Sequence, residues 1–300
     1  MSLWVPFTLM AALFQTVRFM LQKFLSMKTL SAAGTTFARF IYSFPIIAIA
    51  LLFFFLLSDR EIPVFTLIFF MFVVIGGLSQ ILATVLVILL FKLRNFAVGI
   101  TFKKTEVVLS VLAGIIILGE GVSLTGFVAI LLGIGGVLLL SKTPSVDGQW
   151  WKYIASRSVL LGVGSGFLFA VSAVCYRGAT LQLMNEPLIL RAGITLCAVV
   201  FWQVIAMSFW LFCKDPKQII AVWQARAVGL WVGLTSLCGS FCWFVAFAIQ
   251  NAAYVKALGQ IELVFSILAS VLFFQEVITS REVLGIALLV SSVLALIFVI

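Results

Sequence analysis

Ten runs of about twenty apolar residues, each closed by a short polar break, constrain this chain more than any other feature in it. They fall roughly at 3–25, 33–57, 64–91, 95–118, 123–141, 157–179, 187–212, 226–249, 251–275 and 281–299. A run of that length spans the hydrocarbon core of a bilayer as a helix. Lipid offers the backbone no hydrogen-bond partners, so only helices and closed barrels cross it. Barrel strands alternate polar and apolar residues over about ten positions, and these runs do not alternate. The fold class is therefore read as an all-α membrane protein with ten transmembrane helices. Composition agrees, with 64% hydrophobic and 10% charged residues, against about 45–50% and 25% in soluble domains. No small-residue cleavage site follows the first run, which is read as a retained span rather than a signal peptide.

The chain also repeats itself. NFAVGITFKKTEVVLSVLAGIIILGE (residues 95–120) aligns without a gap to NAAYVKALGQIELVFSILASVLFFQE (residues 251–276), at a constant offset of 156. Eight of 26 positions are identical, among them Glu106/Glu262, Ser110/Ser266 and Glu120/Glu276. Two related halves follow: residues 1–141, a linker at 142–156, and residues 157–300. Five spans per half is an odd number, so the second half enters the membrane the other way up, as an inverted-topology repeat. The linker KTPSVDGQWWKYIAS carries Trp150, Trp151 and Tyr153, residues suited to the membrane interface.

Lys and Arg set the orientation. Lys28, Lys92, Arg94, Lys142, Lys152, Arg157, Lys214, Lys217, Arg226 and Arg281 follow the odd-numbered spans, against Arg60 and Arg177 on the other side. By the positive-inside rule the linker is cytoplasmic and both termini lie outside. The net charge of +9 is thereby read as membrane topology, with no nucleic-acid partner.

Ionisable side chains within spans are costly, about 2.5–3.5 kcal/mol each, and face cavities or partners. Glu106 and Glu262 each lie 11 residues into their spans, roughly 17 Å deep at 1.5 Å rise per residue. They are the candidate lining of a central cavity, with Lys103, Lys104 and Lys256 setting its field. Lys103 and Glu106, at i and i+3, can pair along one face. Lys104 must then point elsewhere. Arg18 and Arg39 are placed toward the cytoplasmic end, Arg177 and Arg191 toward the outside, as gating or vestibule pairs. The alternative for the carboxylates is helix-to-helix packing, and for Arg177 snorkelling to headgroups. Intramembrane cations outnumber carboxylates, which favours an anionic or zwitterionic solute. Trp243, Phe244 and Phe241 are candidate cavity walls, and the paired glycines Gly76, Gly77, Gly135 and Gly136 with Gly162, Gly164 and Gly166 permit close helix approach.

No metal site is read from the five cysteines, since Cys238 and Cys242 share a face without further ligands. No cofactor motif occurs, Gly162-x-Gly-x-Gly lying inside a span with no strand before it. No catalytic constellation is present, and the chain is read as a non-enzyme.

With these residues in view, the chain resembles the drug/metabolite transporter superfamily, specifically ten-span EamA-type carriers. The signature is a Glu before an apolar stretch that ends in Gly-Glu: Thr105-Glu106-Val107 through Leu118-Gly119-Glu120, and Ile261-Glu262-Leu263 through Phe274-Gln275-Glu276. Val107 and Leu263 stand where the family usually has Pro, and Gln275 replaces the second Gly. The resemblance implies a secondary carrier of the bacterial inner membrane, working by alternating access as a monomer or homodimer. Its expected cargo is a small polar metabolite, amino-acid-like, most often exported. A lipid or lipid-linked-metabolite flippase on the same scaffold is the alternative.

Overall fold

The fold is that of a computed structural model, which describes residues 3–28, 30–58, 60–93, 103–140, 157–265, 268 and 280–299. The linker 142–156, the start of the first repeat copy (95–102) and Glu276 lie outside these residues. Those described form α1 (Trp4–Lys28), α2 (Ala32–Leu57), α3 (Leu67–Phe91), α4 (Glu106–Ala113), α5 (Leu124–Leu140), α6 (Arg157–Leu181), α7 (Leu188–Lys214), α8 (Lys217–Gln224), α9 (Arg226–Ile249), α10 (Ala252–Leu258) and α11 (Ser280–Val299). No strand occurs among them.

The expected ten transmembrane helices are not confirmed among the described residues. Eleven α-helices occur among the described residues, and of these α1, α2, α3, α6, α7 and α9 are the six long and apolar enough to cross a membrane. The apolar helices at 106–118, 124–140 and 283–298 are shorter. The additional helix is α8, eight residues between α7 and α9, in a stretch too polar to read as a span. It begins after Pro216, and its Ile220 and Trp223 side chains are exposed.

Local chemistry sets the helix starts. Ser31 Oγ accepts from Gly34 N at the head of α2, Thr66 Oγ1 from Phe69 N at the head of α3, and Asn251 Oδ1 from Ala253 N at the head of α10. Each satisfies one otherwise orphaned amide. Helix α4 continues into a π-helical turn, Gly114–Leu118, and stops at Gly119 with φ 69°. That left-handed conformation suits Gly and ends a helix.

Packing runs across the two halves. Helix α3 lies along α6, α1 along α9, and α5 along α11, while α2 meets both α7 and α9. Small residues permit the contacts, as in membrane helix pairs generally. Tyr176 Oη donates to Gly76 O at 3.1 Å. Helices α5 and α11 touch through backbone: a Cβ on Gly136 would stand 2.8 Å from Gly285 O, and Ser292 Oγ donates to Ala129 O at 2.6 Å.

The connections alternate between two ends. After α2 and α6, Arg60 pairs with Glu186 at 3.7 Å and Thr66 with Gln182 at 3.1 Å. At the same end, Asn251 Nδ2 donates to Gly121 O at 3.2 Å, tying the α9–α10 junction to the α4–α5 loop. At the other end, Ser31 N donates to Gln218 Oε1 at 2.8 Å, joining the α1–α2 turn to α8.

Candidate functional site

Both repeat copies break where their glutamate stands. Lys104 and Thr105 form a turn before Glu106, and a 3₁₀ turn, Gly259–Ile261, precedes Glu262. Neither break uses Pro. The first is wedged by α6, since a Cβ on Gly166 would lie 2.7 Å from Lys103 O and 3.2 Å from Glu106 N. Only a residue without a side chain admits the broken segment that closely.

The breaks aim five charged side chains at one another. Lys256 Nζ reaches Glu106 Oε1 at 2.6 Å, and Lys103 Nζ lies 3.4 Å from Glu106 Oε2. Lys104 pairs with Glu262, and Lys103 lies 4.0 Å from the same carboxylate. The principal pairs therefore cross between the halves, each glutamate taking a lysine from the opposite copy. Gln15 Nε2 of α1 donates to Glu262 Oε2 at 2.5 Å. All five charged residues are buried, none more than 9% exposed. The i, i+3 pairing of Lys103 with Glu106 is present, and Lys104 turns away from it toward Glu262. The ring of Phe169 supports Lys103 and Lys256 at 5.0 and 5.6 Å, and Trp243 supports Lys256 at 4.9 Å.

Beside this cluster lies a cavity of about 20 Å³, at the meeting of α1, α2, α3, α6, α9 and α10. Lys256 and Gln15 face it from the cluster, and Arg18 and Arg39 face it from the other side. The arginines are 3% and 2% exposed. They stand deep in the bundle with the lysines, so the two groups placed apart by sequence share one centre. Arg39 donates to the hydroxyls of Ser236 (2.7 Å), Thr84 (3.2 Å) and Ser240 (3.3 Å). Trp243 and Phe244 wall the cavity and Phe241 does not; Ser172, Tyr176 and Gln80 complete it.

Arg177 and Arg191 lie elsewhere, at the end where the α4–α5 loop meets the α9–α10 junction. Arg177 Nη2 donates to Glu120 Oε1 at 2.7 Å, and its Nη1 to the carbonyls of Phe247 (2.8 Å) and Gln250 (2.9 Å). Arg191 Nη2 donates to Ala248 O at 2.8 Å. The two arginines thus converge on the last turn of α9, and Arg177 latches it to the first half.

Sequence reasoning missed the polar shell. Gln15 and Gln80 carried a usable signal, each an amide inside an apolar run. Thr84, Ser172, Ser236 and Ser240 carried none, because hydroxyls in membrane helices commonly bond to their own backbone.

Fold and site together describe a multi-pass helical membrane protein with a buried, charged centre to which residues from both sequence copies contribute. Residues 156–298 match the sequence model of the EamA-like transporter family, whose members move small molecules across membranes. A solved crystal structure aligns with a TM-score of 0.69 over 99% of this chain and 98% of its own, at 14% identity, a likeness of fold alone. No curated protein sequence matches the chain.

Proposed function

We propose that the chain is a secondary transporter that moves a small polar metabolite, anionic or zwitterionic, by alternating access around the central cavity. The observation that carries this reading is the crossed pairing of Lys256 with Glu106 and Lys104 with Glu262. Charges that join two halves at the wall of a cavity are a natural place to couple solute binding to movement of one half against the other. The helix pairings support the inverted repeat. Exchanging α1 to α5 for α6, α7, α9, α10 and α11 turns the α3–α6 contact into α9–α1 and leaves α5–α11 unchanged.

The Arg177–Glu120 latch then serves as the gate at one end, Arg191 as its neighbour, and Arg18 and Arg39 as solute-facing groups. On the positive-inside count the latched end is external, and export through the inner membrane of a bacterium is the expected direction. A flippase would need a lateral opening beside these cations. The lateral groove of about 970 Å³ between α2, α7 and α8 is lined by no charged side chain, which disfavours that alternative.

The test is exchange in proteoliposomes holding the purified chain. Vesicles loaded with amino acids, dicarboxylates or phosphate esters are assayed for uptake of the same labelled solute. Counterflow with at least one solute, lost in Glu262→Gln, is expected. A monodisperse protein that exchanges none of them removes the transporter reading.

A further inference from the structure

The glutamates of the centre are already engaged by lysines, whereas neither arginine forms a salt bridge with a carboxylate among the described residues; Glu262 acts on Arg18 only at longer range. Arg39 spends its donors on three neutral hydroxyls. Arg18 has a buried Nε with no hydrogen-bond partner, and its guanidinium lies over the Phe19 ring at 4.5 Å. Both line the cavity with Lys256. Across cluster and cavity, five buried cations face two buried carboxylates.

Charge without a directly paired counter-ion in a medium of low dielectric is expensive, and guanidinium does not shed its proton to escape the cost. An incoming oxyanion lowers that cost. It also fits the planar fork of arginine, which matches a carboxylate or phosphate edge. An ammonium group finds no such welcome. The two carboxylates that would hold it are occupied, and the surrounding field repels it.

We infer that Arg18 and Arg39 form an oxyanion site, and that the cargo is an organic anion without an ammonium group: a carboxylate or a phosphate ester, not an amino acid. This rests on the central cavity being the solute site and narrows its chemistry. The Gln15, Gln80, Ser172 and Ser240 side chains supply further neutral polar contacts, and Trp243, Phe244 and Phe247 an apolar wall for the body of the solute. At about 20 Å³ the cavity holds about one water, so the solute binds as the bundle opens.

The experiment uses the purified full chain in lipid nanodiscs, with melting temperature and calorimetry as readouts. Four probes share one carbon skeleton: glutarate, glutamate, glutaramide and cadaverine is their order from doubly anionic to dicationic. Inorganic phosphate is the fifth. Glutarate or phosphate should stabilise the chain, with glutamate weaker than glutarate by about ten-fold or more and glutaramide and cadaverine without effect. Tighter glutarate points to a carboxylate cargo and tighter phosphate to a phosphate ester. Arg18→Gln and Arg39→Gln should each weaken the better anion by about ten-fold, and Arg39→Lys by less. The proposal is overturned if neither anion stabilises the chain, if glutamate or glutaramide binds as well as glutarate, or if folded Arg→Gln variants keep wild-type affinity. The wild-type comparison decides even where a variant fails to fold. Binding of the anion without its counterflow in vesicles would keep this site and remove the transporter reading. Counterflow of amino acids with no anion binding would do the reverse.

Discussion

Glu106 holds two lysines, Lys256 at 2.6 Å and Lys103 at 3.4 Å, and is itself buried. Removing its charge leaves buried cations without their counter-charge, which by precedent costs about 3–5 kcal/mol. Glu106→Gln should therefore lower thermal stability clearly, whereas a carboxylate exposed to an aqueous vestibule would tolerate the change. Combining it with Lys256→Gln should recover about 0.5–3 kcal/mol relative to the sum of the single effects. Additive losses in a double-mutant cycle would mean that the pair contributes nothing as a pair. At this scale the sequence was legible in what it repeated. The matched depth of Glu106 and Glu262, and the spacing of Lys103 from Glu106, located the cluster. The crossed partners were not legible, since which lysine reaches which glutamate depends on how two broken helices face each other. Arg18 and Arg39 were assigned to one end because each lies near a helix terminus in sequence. Packing of α1 and α2 against α9 carries them to the centre instead.

Helix by helix, the sequence weighed Gly162, Gly164 and Gly166 alike, and the fold separates them. A Cβ on Gly166 would press on the backbone of the α4 break, at 2.7 Å from Lys103 O, whereas one on Gly164 would meet only Leu86 Cδ1 at 3.4 Å. Gly166→Ala should cost about 1–3 kcal/mol by overpacking and impair exchange, because it moves Lys103 and Glu106 together. Gly164→Ala should be neutral, or stabilising by up to about 1 kcal/mol through helix propensity. Melting temperatures of the two variants check this directly, and equal destabilisation would show that the α6 face is not specific. Six of the spans were readable from hydropathy. Helix α8 was not, because eight amphipathic residues after Pro216 look like loop when only long apolar runs are sought. The breaks before Glu106 and Glu262 were not readable either: no Pro marks them, and in the first half the broken segment packs closely on Gly166 of another helix.

Across the whole molecule, Arg177 joins Glu120 of the first half to the carbonyls that end α9. Glu120→Gln weakens the latch while leaving those carbonyl contacts in place. A cysteine at Ser172, on the cavity wall, should then react with a membrane-impermeant maleimide several-fold faster from the latched side. An unchanged rate would mean that the latch is structural and closes nothing. Reporter fusions should place the 142–156 linker in the cytoplasm and the C-terminus outside, as the distribution of Lys and Arg requires. A cytoplasmic C-terminal reporter would invert the assignment of the latched end from outside to inside.

The small size of the central cavity bears on the membrane that houses the protein. With space for about one water between Arg18, Arg39 and Lys256, this cavity holds no file of water along which protons could hop, and its positive side chains would repel a proton. A membrane holding many copies of the chain in this closed state would then keep its ion gradients.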